Sequence, residues 1–250
     1  MSLKQALTEL VTKHTLESEK GEFFSAPLIG FSSAADPLYD QLKEIIGAWH
    51  LHPQDILPEA KTVISFFLPF SIETVYQNQQ HEPAARAWAE SYVAANQLIG
   101  HISEQLIEFL ASKGIMAATL PATHSYDAEK LQSAWSHRSA AYIAGLGRFG
   151  VNRMLITPVG CAGRYGTVIT AAELPADVRS EQEYCRYHQN GSCLACIRAC
   201  PVGALRVDGF DKFRCNDRLL KNATQFSDIG FCDVCGKCVV AGPCAVMAEK

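Results

Sequence analysis

Cysteine is the residue whose number and spacing could do the most chemistry in this chain. Nine of the ten cysteines lie between Cys185 and Cys244, and the first 184 residues contain only Cys161. The nine are arranged in two motifs, Cys193-x2-Cys196-x3-Cys200-Pro201 and Cys232-x2-Cys235-x2-Cys238, with Cys185, Cys215 and Cys244 outside them. Two clusters of four irons need eight thiolates, so this supply predicts two [4Fe-4S] clusters and electron transfer.

The run that ends in Cys200-Pro201 is the ferredoxin signature, in which the last cysteine binds the neighbouring cluster. A complete run would begin at position 190, which is Asn190 here, and Cys185 is the natural substitute. In two-cluster ferredoxins each motif supplies its last cysteine to the other cluster. The same exchange here predicts that one cluster is bound by Cys185, Cys193, Cys196 and Cys244. The other is then bound by Cys232, Cys235, Cys238 and Cys200. Cys215 is left over, although it could replace one of these ligands.

Zinc is the alternative to iron, because Cys193-x2-Cys196 and Cys232-x2-Cys235 could form one tetrahedral site. That site would leave five nearby cysteines unused. Disulfides are disfavoured, since the chain begins with a mixed-charge helical pattern in place of a signal peptide, and a reducing compartment keeps thiols free. No run of 18 apolar residues occurs. We therefore expect a cytoplasmic protein that does not span a membrane.

The two parts of the chain differ in pattern, which predicts an α+β core over residues 1–180 and a small cluster-nucleated domain over 181–250. Helical patterns cover residues 2–16, 37–49, 81–113 and 128–144. Strand patterns cover residues 62–68, 115–120, 154–156 and 168–169. Phe66, Phe67 and Phe70 are expected in the core. The second part holds few large apolar residues, so we expect it to need its clusters in order to fold.

A glycine-rich motif, Ala144-Gly145-Leu146-Gly147-Arg148-Phe149-Gly150-Val151-Asn152, is the other candidate site. Its G-x-G-x-x-G spacing binds dinucleotides when it follows a strand and opens a helix. Here it follows a helical pattern, which disfavours nicotinamide binding. Two interpretations remain open: a turn without a ligand, and a loop that closely approaches a large flat cofactor.

This motif, extended through Leu155-Ile156 and followed by the cysteine motifs, resembles the hallmark of epoxyqueuosine reductases. The resemblance covers roughly residues 26–246 and extends more distantly to reductive dehalogenases. It implies a nitroreductase-like core, a ferredoxin-like domain with two clusters, and cobalamin near Gly145, Gly147, Gly150 and Asn152. It also implies a small-molecule substrate and an electron donor such as ferredoxin or flavodoxin. The alternatives are an electron-transfer protein without a corrinoid, and a flavin-dependent reductase.

The chain departs from that family's pattern at three places. An ungapped count puts Leu131 at the position of the family's general acid, an aspartate, with Asp127 nearby. Val151 stands where the family has lysine, and the chain ends at Lys250 without the helical repeats that grip tRNA. The net charge of −4 also argues against a broad nucleic-acid surface, so we do not expect tRNA as a partner.

Isolated polar residues supply the remaining candidates. His124, His137 and His188 are candidate proton donors or axial ligands, although a lone histidine usually has a structural role. Arg148 and Arg153 flank the glycine motif and could contact a cofactor, while solvated surface positions are the more ordinary interpretation. Cys161 lies outside the metal motifs and is expected to be a structural thiol.

Overall fold

The computed structural model describes residues 1–121 and 126–247 of the chain. Its helices are α1 (Leu3–Leu16), α2 (Leu38–Ile45), α3 (Pro53–Ile56), α4 (Ile72–Gln80), α5 (Arg86–Ala111), α6 (His137–Ile143), α7 (Arg186–Asn190), α8 (Ala195–Arg198), α9 (Lys212–Gln225) and α10 (Lys237–Val240). Its strands are β1 (Leu28–Ser33), β2 (Thr62–Pro69), β3 (Ala117–Thr119), β4 (Tyr126–Asp127), β5 (Gln132–Ser133), β6 (Arg148–Phe149), β7 (Leu155–Ile156) and β8 (Gly163–Thr170). His124 lies outside the described residues.

A four-stranded antiparallel sheet, in the order β1-β2-β8-β3, forms the centre of the fold. Every residue of β2 is buried. Side chains alternate between the two faces of a strand. Ile64, Phe66 and Leu68 therefore join one part of the core, while Val63 and Phe67 join the parts on the other face. Burial of both faces explains why this strand is a continuous apolar run in the sequence.

Helices cover both faces of the sheet and supply most of the core. On one face α5 packs against β8 and α1, with Leu98, Ile102 and Leu106 buried along its length. On the other face α6 packs against β2 and β8 through Ala140 and Ile143. The structure is thus a mixed α+β fold, as the sequence predicts.

The segment of residues 128–136 corrects one sequence prediction, because its helical pattern forms a hairpin. β4 and β5 pair, and the Asp127 carboxylate accepts hydrogen bonds from the main-chain N–H groups of Glu129 and Lys130. Leu131 then takes a left-handed backbone conformation, with φ 49°. An aspartate that captures nearby amides favours a turn over a helix. The helix starts only after Ser136, whose side chain caps α6.

The cysteine-rich segment packs onto the first part of the chain. Val234, Val239 and Val240 belong to the same buried cluster as Phe70 and Trp88. The predicted boundary at residue 180 falls within an extended stretch between β8 and α7. The division into two domains stays a prediction. In the described ranges, no helix has the length and apolarity needed to cross a membrane.

Lys237, inside the second cysteine motif, ties this segment to the end of α4. Its side chain is 7% exposed, and the ammonium group donates to the carbonyl oxygens of Asn78 (2.6 Å) and His81. The Asn78 amide in turn donates to the Cys235 carbonyl at 3.0 Å. Gly236, between these residues, has φ 71°, and a side chain there would overlap the ring of Trp88. The motif is therefore shaped by packing as well as by its cysteines.

Replacing Lys237 by Met should lower the free energy of unfolding by about 2 kcal/mol, because buried carbonyl groups lose their donor. Chemical denaturation of the cluster-loaded protein without oxygen measures this, because the segment that carries Lys237 is expected to be folded only in that state. Lys221→Met is the matched control, because Lys221 is exposed on α9 in the same segment. Equal stability of the two variants would contradict the anchoring role of Lys237.

Candidate metal centres and the adjoining cleft

Four cysteines from three segments line one small cavity. They are Cys185, Cys193, Cys196 and Cys244. Cys185 is the N-terminal cap of α7, Cys196 lies in α8, and Cys244 follows α10. Burial, followed by the charges of the other three sulfurs, raises the pKa of Cys196 to about 11. These are the four residues that the sequence assigns to the first cluster, with Cys185 in the place of the missing cysteine at 190.

Cys161 lies against this first group, within a buried chain of polar contacts. The Asn152 amide approaches the Cys161 sulfur at 3.6 Å, and the Cys161 main-chain N–H donates to the Cys244 carbonyl at 2.9 Å. A hydrogen bond from the Cys161 thiol lowers the pKa of Cys244 to about 7. Cys161 thus supports a ligand position, and the prediction of a purely structural thiol missed this contact.

A second group consists of Cys200, Cys215, Cys235 and Cys238. Burial, followed by the charges of Cys235, Cys215 and Cys200, raises the pKa of Cys238 to about 12. Burial, followed by the charges of Cys235 and Cys200, raises the pKa of Cys215 to about 11. These mutual effects place the four sulfurs near one another. Cys196 also acts on Cys238, so the two groups are neighbours.

Cys232 stands apart from both groups. It is fully buried, and its sulfur contacts the carbonyl oxygens of Gly230 (3.5 Å) and Phe226 (3.6 Å). Burial, and then the nearby carboxylates of Asp233 and Asp228, raise the pKa of its thiol. Ferredoxin spacing makes Cys232 a ligand and Cys215 the spare, whereas the structure places Cys215 in the group. The spacing of the two motifs does not show that Cys215 belongs to the group, because this residue lies outside both motifs and is positioned by helix α9.

Cys200 is prepared to hold a negative charge. Burial works against its ionisation, but main-chain N–H groups of residues 202–205 point at the sulfur and lower its pKa. The Ala204 N–H lies 3.2 Å from this sulfur. Hydrogen bonds to a thiolate stabilise its charged form, which is the form that binds metal. The turn after Pro201 therefore suits Cys200 to be a metal ligand.

Among residues 1–121 and 126–247, no set of three or more His, Cys, Asp or Glu side chains is arranged to hold a metal ion. The four sulfurs of the first group stand around a cavity. The zinc alternative needs Cys193, Cys196, Cys232 and Cys235 together, and in the described structure these residues lie in different surroundings.

A cleft of about 680 Å³ opens beside these groups, between α6 and β8. Trp135, Phe149, Met154 and Leu131 give it apolar walls. Its polar lining consists of Ser133, Ser136, Ser139, His137, Arg138 and Arg164 together with Tyr165. The Arg138 guanidinium is fixed by the Arg153 carbonyl at 2.9 Å and the Met154 sulfur at 3.3 Å. The cleft thus combines flat apolar surfaces with cationic and hydroxyl donors, which is typical of a cofactor or substrate site.

The glycines predicted to approach a cofactor do not line this cleft. Side chains at Gly147 and Gly150 would collide with Ile156, and one at Gly145 would collide with the Val178 carbonyl. Asn152 lines the cavity of the first cysteine group instead. Close packing of the chain on itself accounts for the three glycines, and their cofactor-binding role stays a prediction. Of this motif, Phe149 reaches the cleft.

The proton-donor candidates differ in position. His137 lines the cleft, where burial lowers its pKa to about 4, and its Nδ1 lies 2.9 Å from the Thr167 hydroxyl. Asp127 points into the β4–β5 turn, and the main-chain N–H of Lys130 lowers the pKa of its carboxyl group. Leu131 also lines the cleft.

The other polar candidates lie outside the cleft. His188 pairs with Glu183 at 3.6 Å, and Arg148 approaches the same carboxylate at 3.8 Å. The Arg153 guanidinium is 3.4 Å from the Val207 carbonyl. Each of these side chains thus has a partner within the protein, which is the ordinary interpretation of such residues.

Comparison with known proteins supports the resemblance that the motifs indicate. No family model matches the chain. An epoxyqueuosine reductase of Bacillus subtilis is 27% identical over 159 residues, which cover 61% of this chain and 37% of that protein. The chain therefore spans well under half of this curated relative.

Solved structures show the same likeness in fold. The epoxyqueuosine reductase of Streptococcus thermophilus matches with a TM-score of 0.63 and 20% identity, over 100% of this chain and 69% of that one. An epoxyqueuosine reductase solved with a modified tRNA stem loop matches with a TM-score of 0.62, 24% identity, and coverages of 97% and 65%. A catabolic reductive dehalogenase matches with a TM-score of 0.63 and 17% identity over 87% and 30%.

Cys215→Ser should cost the protein one cluster, whereas Cys232→Ser should leave both, because Cys215 lies in the second group and Cys232 does not. Iron and acid-labile sulfide per chain, measured after anaerobic purification, test this difference. Cys161→Ser is a further control, since Cys161 contacts a ligand position without belonging to either group. Loss of a cluster in Cys232→Ser but not in Cys215→Ser would reverse the assignment.

The motifs and the fold agree, and the chain is similar to epoxyqueuosine reductases in sequence and to these enzymes and reductive dehalogenases in fold.

Proposed function

We propose that this protein is an iron–sulfur oxidoreductase that passes electrons from two [4Fe-4S] clusters to a corrinoid and a small substrate in the cleft. Similarity to an epoxyqueuosine reductase supports an oxidoreductase. The single observation that carries the rest is the gathering of eight cysteines into two neighbouring groups of four. Eight thiolates in two groups match the needs of two clusters.

The proposed architecture is a nitroreductase-like core followed by a ferredoxin-like cluster domain. The antiparallel sheet with helices on both faces supplies the core, and residues 185–244 supply the cluster ligands. Cys200, the last cysteine of the first motif, belongs with Cys235, and Cys244, which follows the second motif, belongs with Cys193. This exchange is the crossing that two-cluster ferredoxins use.

The cleft suits a corrinoid. Trp135, Phe149 and Met154 offer apolar surface to a flat macrocycle. Arg138 and the Ser136 hydroxyl can donate to amide or phosphate oxygens at its rim. When bound, such a cofactor supplies a metal centre that accepts electrons singly and reduces the substrate. The chain's own part is to bind, to orient, and to keep the electron path short.

Arg164 links the cleft to the cysteine-rich segment. Its guanidinium lies 4.4 Å from the centre of the Tyr92 ring, and the Tyr92 hydroxyl donates to Asp233 at 2.5 Å. Asp233 lies between Cys232 and Cys235 in the second motif. This contact joins the cleft wall directly to the segment that carries the ligands, so the two sites are held in fixed relation.

The side chains of the cleft are poor proton donors at neutral pH. In the part of the chain that the structure describes, the titratable residues lining it are His137, Arg138, Arg164 and Tyr165. His137 is neutral at pH 7, because burial lowers its pKa to about 4. Tyr165 donates to the Leu155 carbonyl at 2.8 Å, and burial raises its pKa well above the ordinary value. We infer that the proton for the reaction comes from the natural substrate itself or from water, and not from a carboxylic acid of the protein.

Protein purified without oxygen should contain about eight irons and eight sulfides per chain, with the visible spectrum of iron–sulfur clusters. Metal analysis for iron, zinc and cobalt and one absorbance spectrum test this, and they separate the alternatives of a flavin and of clusters without a corrinoid. One zinc per chain without labile sulfide would exclude the proposal.

The protein should convert epoxyqueuosine in tRNA at most slowly, because Leu131 supplies no proton where the related enzymes have an acid. Leu131→Asp should raise the rate by about 10²-fold or more, the usual size of general acid catalysis. Aspartate also tolerates the left-handed backbone of this position better than leucine. Formation of queuosine, with protein reduced in the presence of cobalamin, measures both. Leu131→Asn is the matched control, and robust conversion by the unaltered chain would contradict the expectation.

A further inference from the structure

Four large apolar side chains lie exposed beside the second cysteine group. Val207, Phe210, Phe213 and Leu220 are 41%, 46%, 52% and 42% exposed. Val207 and Phe210 belong to the turn before α9, and Phe213 and Leu220 are seven residues apart on α9, so they share one face of that helix. We call these four residues the aromatic patch. Exposed apolar side chains grouped in this way mark interaction sites more often than isolated ones do.

The aromatic patch lies directly over two cysteines of the second group. Phe213 and Cys215 are two residues apart on α9, and such neighbours point to nearly opposite sides of a helix. Phe213 therefore faces solvent, and Cys215 faces the other cysteines of the second group. Phe210 pairs with Leu205, whose main-chain N–H bonds the Cys200 sulfur. Only one helix and one turn separate the patch from these two sulfurs, which gives a docked molecule a short electron path.

The surroundings of the patch are basic in an acidic protein. Residues 198–221 contain six basic and three acidic side chains, whereas the whole chain has a net charge of −4. Arg214 is exposed beside Phe213, and the Lys212 ammonium lies 5.4 Å from the centre of the Phe213 ring. A basic rim around an apolar centre fits an acidic protein partner and accelerates its association at low salt.

We propose that the aromatic patch and its basic rim are the docking surface for an acidic one-electron carrier protein, which reduces the second cluster by way of Cys200 and Cys215. This inference rests on the proposed function, because it requires a cluster in the second group. The step transfers one electron from the reduced carrier to the oxidised cluster, and no bond is formed or broken. Weak, small interfaces of this kind are typical of electron-transfer encounters.

Reduction of the cluster-loaded protein by reduced plant-type ferredoxin, an acidic iron–sulfur protein, tests this surface. Phe213→Ser and Arg214→Glu should each lower the second-order rate constant at low salt by about tenfold, because the first removes apolar contact with the carrier and the second removes electrostatic steering. The difference between the unaltered protein and Arg214→Glu should shrink as the salt concentration rises, because salt screens the attraction. Stopped-flow loss of visible absorbance gives the rates.

Dithionite is the control reductant, because a small anion radical needs no docking surface. Both variants should be reduced by dithionite at the rate of the unaltered protein, which shows that their clusters are intact. Lys20→Glu is the control variant, an equal charge reversal at an exposed residue outside the patch. It should leave the ferredoxin rate unchanged.

The two proposals fail in different ways. If the unaltered protein loses no absorbance with dithionite, the clusters are missing and the proposed function is wrong. If all variants are reduced by ferredoxin at the same rate while dithionite bleaches them normally, the docking surface is wrong. A change of molecular mass from dimer to monomer in Phe213→Ser would also overturn it, because the patch would then join two copies of this chain.

Discussion

The attachment of a cysteine-rich segment to an already folded core is the constraint on which the rest of this structure depends. Residues 185–247 form only short helices and loops apart from α9, and several of their apolar side chains are buried against the first part of the chain. Lys237 and Asn78 join the segment to α4 through buried hydrogen bonds, and Gly236 lets it approach Trp88 of α5. Those main-chain and side-chain contacts fix the backbone that carries Cys235 and Cys238.

Burial opposes ionisation of the cysteine thiols when no metal is bound near them. It raises the pKa values of Cys196, Cys215 and Cys238 to about 11 or 12, so these thiols stay protonated at neutral pH in the metal-free protein. Metal binding must then release their protons, which couples it to pH and to folding. One thiol in each group ionises more easily. Main-chain amides lower the pKa of Cys200, and the Cys161 thiol lowers that of Cys244.

The packing of the cysteine-rich segment on the core also positions the cleft next to the cysteine groups. Arg164, on the central strand β8, reaches the segment through Tyr92 and Asp233, while Arg138 on α6 approaches the cleft from the opposite wall. Leu131, with its left-handed backbone, adds an apolar side chain to the lining of the cleft. The cleft is therefore held in contact with the segment that carries the clustered cysteines.

The sequence by itself determined the α+β class, the buried strand over 62–68 and the long helix that ends before Gly114, because each follows from local periodicity and turn signals. It could not show whether Cys215 or Cys232 belongs to the second group, since this depends on how helix α9 and the loop before Cys235 orient the two side chains. It also predicted a helix over 128–136, where the structure has a hairpin, and it did not show why the 144–152 motif is rich in glycine. Packing against Ile156 and the amide contacts of Asp127 decided those segments, and both are tertiary or turn effects that hydrophobic periodicity does not record.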